Sequence, residues 1–199
     1  MEKISIAKGN TKMGNGMPSI SLPPGVTCSE EARKTCLKEC YIMKAFRMYK
    51  QTRAAYRRNL KIYQRNPSDF FGQLEKFLEK RQPRFFRFFV GGDFPDQPFV
   101  NMSLQLARKF PNVKFLAFTK RYHFDFGNKP DNFAVVLSMW PGMKDDVRLG
   151  SVNFPRAWMQ DGTETRIPKS AIECHGGCST CGMCWNLGKL GKDVYFHKH

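Results

Sequence analysis

The chain has 199 residues, with 33 Lys and Arg against 17 Asp and Glu, a formal net charge of +16. Its 41% hydrophobic and 25% charged residues exclude an intrinsically disordered chain and suit one domain with a buried core. No stretch approaches the roughly 20 apolar residues of a membrane span, and Met1-Glu2-Lys3-Ile4-Ser5 leads into no secretory signal, so a cytoplasmic protein with reduced thiols and no membrane contact is expected.

Residues 1–17 are polar and Gly-rich and read as a loop or arm. Ser19-Ile20-Ser21-Leu22 is a short strand candidate, ended by Pro23-Pro24-Gly25. Ser29-Glu30-Glu31 resembles a helix start, which would set Cys36 and Cys40 on one helical face, four apart. From about Cys40 to Gln64 the pattern is helical: Ile42, Phe46, Tyr49, Tyr56, Leu60 and Tyr63 recur at three and four spacing, as a core-facing row. An adjacent face carries Arg47, Lys50, Arg57, Lys61 and Arg65. Such a row is usually a solvated face, but on so positive a chain it is the candidate surface for nucleic acid or another acidic partner. Asn66-Pro67-Ser68-Asp69 breaks the helix, and Ser68 or Asp69 would cap the next, Phe70–Lys80.

Arg84–Val90 reads as a strand, bounded by Gly91-Gly92-Asp93-Phe94-Pro95-Asp96. A helix over about Pro98–Phe110 follows, then strands at Val113–Thr119 and Phe133–Met139. Strand, helix, strand with short links predicts right-handed crossovers and a parallel sheet, with ligands at the carboxyl ends of the strands. That edge would carry Gly91-Gly92-Asp93, Thr119-Lys120-Arg121 and Ser138-Met139-Trp140. Beyond it, Val147–Phe154 is a strand candidate, Gly162–Ile167 a turn with a short strand, and Lys189–His199 a basic tail.

The chain has seven cysteines, clustered towards its two ends. Cys28, Cys36 and Cys40 read C-x7-C-x3-C, and Cys174, Cys178, Cys181 and Cys184 read C-x3-C-x2-C-x2-C-W. Zinc ribbons usually pair two C-x2-C knuckles a dozen or more residues apart. The tight C-terminal succession instead resembles ferredoxin-type ligation of a [4Fe–4S] cluster, without the usual C-x3-C-P ending. Gly176, Gly177 and Gly182 would let the backbone wrap closely and aim amides at sulfur. Zinc remains the alternative metal, and cysteines packed as small core hydrophobes the plain account. His175 lies inside the cluster loop but with four thiols at hand reads as a neighbour or exposed residue; His123, His197 and His199 read as surface or tail.

Three cysteines on a [4Fe–4S] cluster leave one iron open, an arrangement that resembles the radical S-adenosylmethionine enzymes in principle, although their motif is C-x3-C-x2-C. In that fold a Gly-Gly-Glu-Pro-like run after the second strand holds the methionine amino group. Val90-Gly91-Gly92-Asp93-Phe94-Pro95 looks like a variant with Asp for Glu. The resemblance implies Gly91 and Gly92 as cofactor-binding residues, Lys120 of the strand edge is a further cofactor-binding candidate, and Asp93 is the acidic site residue, whose plain role would be a turn or cap carboxylate.

Over nearly its whole length the chain also resembles the phage family named after a mycobacteriophage gene product 88. The matching residues are Ser19 to Cys28, Cys36, Cys40-Tyr41, Gly91-Gly92-Asp93-Phe94, Phe118-Thr119-Lys120, Cys174 to Cys184-Trp185, and Tyr195 with a terminal histidine. The resemblance implies a viral protein working in a host cytoplasm rather than a particular reaction. The expected architecture is an α/β domain with a partial βα barrel or an open, mostly parallel sheet. It divides into an arm (1–17), a βα core with a long basic helix (18–142) and a Cys-rich segment (143–199), the two Cys-rich segments closing over the strand edge at one or two [4Fe–4S] clusters. The expected function is an iron–sulfur protein with radical-S-adenosylmethionine-like chemistry. The alternatives are a non-catalytic iron–sulfur or zinc module that binds nucleic acid through the basic helix, or a small electron carrier.

Overall fold

Short apolar runs stopped by Gly, Pro or Asp build the core of this fold. A computed structural model describes residues 2–10, 13–143 and 154–198. The strands are β1 (Ile6–Asn10), β2 (Gly14–Ile20), β3 (Phe85–Phe88), β4 (Lys114–Thr119), β5 (Phe133–Met139), β6 (Arg156–Gln160), β7 (Ile172–Glu173) and β8 (Val194–His197). They form one eight-stranded open sheet in the order β1-β2-β3-β4-β5-β6-β8-β7. β1 and β2 pair antiparallel and every other neighbour is parallel. Seven α-helices are seen among the described residues: α1 (Glu30–Lys34), α2 (Tyr41–Met48), α3 (Lys50–Arg65), α4 (Pro67–Arg81), α5 (Gln97–Lys109), α6 (Cys178–Cys181) and α7 (Leu187–Leu190), with 3-10 turns at Cys36–Glu39 and Met183–Trp185.

The period of two along each strand divides the apolar residues between two faces. Phe86 and Phe88 of β3, Phe115 and Ala117 of β4, and Phe133, Val135 and Leu137 of β5 turn to one face, where α3, α4 and α5 bring Tyr63, Phe70, Phe71, Leu74 and Phe99. The Phe88 ring lies 5.7 Å from Phe133 and 6.2 Å from Phe99. Each such buried ring stabilises the fold by about 2 kcal/mol. The opposite face is thinner. Phe85, Leu116, Val136, Ala157 and Val194 are covered there by Met13, Met17, Trp185 and Leu187.

The parallel core, the β5 bounds and α5 agree with the sequence pattern, and several other expectations are corrected. The described residues of 1–17 form no arm: β1 and β2 pair antiparallel, with an irregularity between Ala7 and Gly9. The glycines that suggest a loop serve bends in this pair, Gly9 at φ 131° and Gly14 at φ 91°. The helix expected over Cys40–Gln64 is broken at Tyr49, whose ψ of 105° is extended, giving α2 and α3. Cys36 and Cys40 share no helical face; Cys36 opens a 3-10 turn and Cys40 sits at the cap of α2. Asn66, not Ser68 or Asp69, caps α4, its side chain accepting from the Asp69 amide at 3.0 Å, with Pro67 in the first turn. β3 stops at Phe88 because Phe89 turns to φ 60°. Residues 162–167 hold no strand, and β6, β7 and β8 were not anticipated. The strand candidate Val147–Phe154 lies outside the described residues except for Phe154, which is in no strand.

One amide fastens the hairpin to the helices. Asn59 of α3 is 0% exposed; its Oδ1 accepts from the Ser5 amide at 2.7 Å, and its Nδ2 donates to the carbonyls of Ser5 at 2.9 Å and Ser21 at 3.0 Å. Truncation would strand these buried groups. Asn59→Ala is expected to lower the unfolding free energy by about 2–3 kcal/mol in a urea titration; a loss below about 0.5 kcal/mol, within the range of an ordinary surface change, would show that the tie carries no weight.

Candidate functional site

Every strand from β2 to β8 points its carboxyl end the same way, so the loops leaving them converge on one edge. The chain leaving β2 runs on beside β3, Phe89 N donating to Ile20 O at 2.8 Å and Leu22 N to Gly91 O at 3.1 Å. Pro23-Pro24-Gly25 then turns it, with Thr27 N returning to Pro23 O at 3.2 Å. Cys28 follows, its sulfur accepting from the Gly25 amide at 3.3 Å. Ser29 caps α1 through the Ala32 amide at 3.1 Å, and α1 delivers Cys36, whose thiol donates to Ala32 O at 3.4 Å.

Below these thiols a buried carboxylate joins three strand ends. Asp93, 5% exposed, accepts on Oδ1 from the Phe94 amide at 2.8 Å and the Thr119 hydroxyl at 2.7 Å, and on Oδ2 from the Lys120 amide at 2.8 Å. Its own amide donates to Thr27 Oγ1 at 3.0 Å. Arg121 closes the knot, donating to Phe94 O at 3.0 Å and Thr27 O at 2.7 Å. Burial raises the Asp93 carboxyl above its ordinary value, against the donors that lower it. A raised acid contributes stability that is full below the ordinary carboxylate range and lost as pH rises through its folded value. Asp93 is thus a strand-end clamp, and its acceptor sites are taken by the protein.

The clamp sets Lys120 pointing along the edge. Its Nζ donates to Ser138 Oγ at 2.6 Å and lies 5.8 Å from the centre of the Trp140 ring. Tyr122 donates to the Ser138 carbonyl. Lys120 also lies close enough to Cys36 for its charge to lower that thiol, although burial wins and the thiol is raised. The two glycines of the same edge are filled in by protein. A Cβ on Gly92, at φ 78°, would stand 2.5 Å from Leu22 O, and one on Gly91 2.8 Å from Ile42 Cγ1. Both let the end of β3 pass under its neighbours.

The second cysteine group leaves the same edge and runs across the sheet face. Cys174 leaves β7 with its amide on Tyr195 O at 2.8 Å. The chain then crosses the thin face of the sheet: Ser179 N donates to Met13 O at 2.8 Å, and Trp185 Nε1 to Lys114 O at 2.9 Å, beside the starts of β2 and β4. Gly177 and Gly182 bracket α6 at φ 64° and 59°. This group thus begins at the same edge, Cys174 following β7, and runs on over the sheet face, where Trp185 and Leu187 cover apolar residues.

All seven cysteines are free thiols. Burial pushes Cys28 up to about 11, with charge on Asp93, Cys36 and Cys40 adding to it. Burial likewise pushes Cys184 up to about 12, with charge on Cys174, Cys178 and Cys181 adding. Each thiol thus answers to its own group. Tyr41, next to Cys40, lies within electrostatic reach of both Cys178 and Arg87, and Lys198 pairs with Glu39 at 2.7 Å, so the two segments are neighbours. Among the described residues no three Cys, His, Asp or Glu side chains converge closely enough for one metal ion. His123 and His175 are exposed, and His197 meets Glu173 at 3.0 Å within the β7–β8 edge; His199 lies outside the described residues.

Sequence reasoning passed over Thr27, Tyr41 and Arg87 as site residues. Arg87 had a visible signal, a lone charge inside Phe85-Phe86-Arg87-Phe88 on the alternate face. No helix among the described residues is long and apolar enough to cross a membrane. Over residues 3–187 the chain matches the family described as gene product 88, and it belongs to that phage family. Comparison with curated proteins and with solved structures gave no match.

Thiol labelling checks the two groups. In the presence of a chelator, at pH 8, exposed Cys181 is expected to alkylate first by mass spectrometry. Cys28 and Cys184 should follow at least tenfold more slowly, since a raised pKa leaves less thiolate. Equal rates would contradict the burial described.

Proposed function

We propose that this member of the gene product 88 family is an iron–sulfur protein. In this reading Cys28, Cys36 and Cys40 hold a [4Fe–4S] cluster at the carboxyl edge of the sheet, and Cys174, Cys178, Cys181 and Cys184 hold a second centre. The observation that carries it is the separation of the thiols into a group of three at the strand edge, beside Asp93 and Lys120, and a group of four on the sheet face. Soft, clustered thiols suit iron–sulfur chemistry or zinc.

Three thiols leave a place on such a cluster for an outside ligand, and S-adenosylmethionine is the one proposed. When bound, the cluster supplies single electrons to a ligand of this class. The chain's own part is positional. Lys120 presents a cation beside Cys36, held by Ser138. Asp93 fixes the Lys120 backbone. Gly92 lets the β3 end lie close against Leu22 and Thr27, which lead into Cys28, and Gly91 lets it pass under Ile42 and Tyr56.

Anaerobic purification with iron and sulfide analysis tests the reading. Iron in stoichiometric amount is expected, with part of it lost in Cys36→Ala and a different part in Cys184→Ala. The reduced protein's electron paramagnetic resonance spectrum should change on adding S-adenosylmethionine, and should cease to do so in Cys36→Ala. Colourless protein with stoichiometric zinc would sink the iron reading, and a spectrum blind to the cofactor would leave an electron carrier.

A second reading, nucleic-acid binding, draws on one observation. Arg47, Lys50, Arg57, Lys61 and Arg65 are all exposed, and the break between α2 and α3 exposes Met48 at 61% and Tyr49 at 55% among them. An exposed ring among cations suits a stacked base beside phosphates. Arg57→Glu with Lys61→Glu is expected to weaken binding of single-stranded DNA or RNA at least tenfold at low salt and to flatten its salt dependence; unchanged binding would leave the row as a solvated face.

A further inference from the structure

Arg87 is the one charged side chain on β3, and it faces the thin side of the sheet. Its neighbours in register are Ser19 on β2 and Leu116 on β4. Its Nε is buried with no hydrogen-bond partner. Its Nη1 reaches the Met13 thioether at 3.6 Å, a poor acceptor. The guanidinium lies 4.8 Å over the Phe118 ring. Among the described residues no Asp or Glu pairs with it. Arg87 as a whole is half-buried, but its Nε is cut off from water without an acceptor, which is costly, and guanidinium cannot escape by losing its proton.

What stands near it is sulfur. Arg87 is within electrostatic reach of both Cys178 and Cys184. As neutral thiols these offer it no counter-charge. As ligands they would: four thiolates outweigh the positive charge of a zinc ion or an iron–sulfur core, so the whole centre is a net anion. Met13, which touches Arg87, also accepts the Ser179 amide from the turn between Cys178 and Cys181. Guanidinium and thiol loop are thereby fixed to the same hairpin residue.

We propose that Arg87 is the counter-cation of an anionic metal–thiolate centre at Cys174, Cys178, Cys181 and Cys184, and that it holds the reduction potential of that centre up. The proposal rests on the reading that these four cysteines bind metal. Reduction adds one negative charge to the centre, and a fixed cation beside it favours that step. Arg87 acts through the centre's charge and touches no substrate; it is a positioning and tuning residue.

The test uses the full chain loaded anaerobically with iron and sulfide. The signal of the C-terminal centre is the one lost in Cys184→Ala and kept in Cys36→Ala, and its midpoint potential is read by redox titration. Arg87→Met is expected to disfavour reduction at least tenfold, a potential lower by about 59 mV for a one-electron couple, while Arg87→Lys keeps the charge and stays within that interval of the unaltered protein. If Arg87→Met does not fold, Arg87→Gln carries the same expectation. If neither neutral variant loads while Arg87→Lys does, the charge is needed to hold the centre and the proposal stands. If the metal is zinc, chelator competition replaces the potential, and at least tenfold easier extraction from Arg87→Met is expected. Unchanged potential or metal retention in Arg87→Met overturns the proposal. So does an Arg87→Lys variant as impaired as Arg87→Met, because shape and not charge would then matter. Equal metal content in the unaltered protein and Cys184→Ala is the separate failure of the reading beneath it, and removes the proposal's premise.

Discussion

The edge of this sheet depends on a carboxylate that water does not reach. Parallel strands deliver their loops to the same place, and nothing in the strand ladder fixes how those loops lie against one another. Asp93 does so with its two oxygens, taking donors from the segments after β3 and β4, while its amide engages the Thr27 hydroxyl beyond β2. A buried carboxylate is costly unless its acceptor sites are filled, so the loops that supply the donors are held wherever Asp93 is. The position of Lys120, and through it the hydrogen bond to Ser138, follows from this tie.

The two faces of the sheet do different things. One is packed with aromatic rings from β3, β4, β5 and three helices, and it holds the fold together. The other carries smaller side chains, a guanidinium and a strap of backbone rich in thiol and glycine. The strap is fastened at points remote from each other, by Ser179 to Met13 and by Trp185 to Lys114. Without it Leu116 and Val136, 1% and 0% exposed, would meet water. The thiol segment is therefore part of the covering of the core.

Much of the parallel core was legible in the sequence. Phe133–Met139 has the apolar run and the Pro-Gly stop of a buried strand, and its bounds agree with the structure. Asp96 followed by Pro98 and an apolar period of helical spacing marks α5. The hairpin of β1 and β2 was hidden because its glycines imitate a loop and its alternation is weak. The helix break at Tyr49 was hidden because no Gly or Pro stands there; the bend closes through the Arg53 guanidinium, which donates to the carbonyls of Phe46 and Arg47. Of the site, residue types and the strand edge were readable, as was the separation of the thiols along the chain. That the four-thiol strap lies on the sheet face was not, since this follows from Trp185 and Leu187 seeking the apolar residues of distant strands.

The position of β8 imposes an order in time. β8 lies between β6 and β7 and, among the described strands, is the only neighbour of β7 in the sheet. A ribosome delivers the chain from its amino end at about 5–20 residues per second, so Ile172 and Glu173 emerge before the strand that must receive them. Until Val194–His197 follows, the thiols from Cys174 to Cys184 hang from a chain anchored on one side only. The Phe-rich half can condense during synthesis, whereas the strap is cinched last. During that interval its sulfurs are open to solvent.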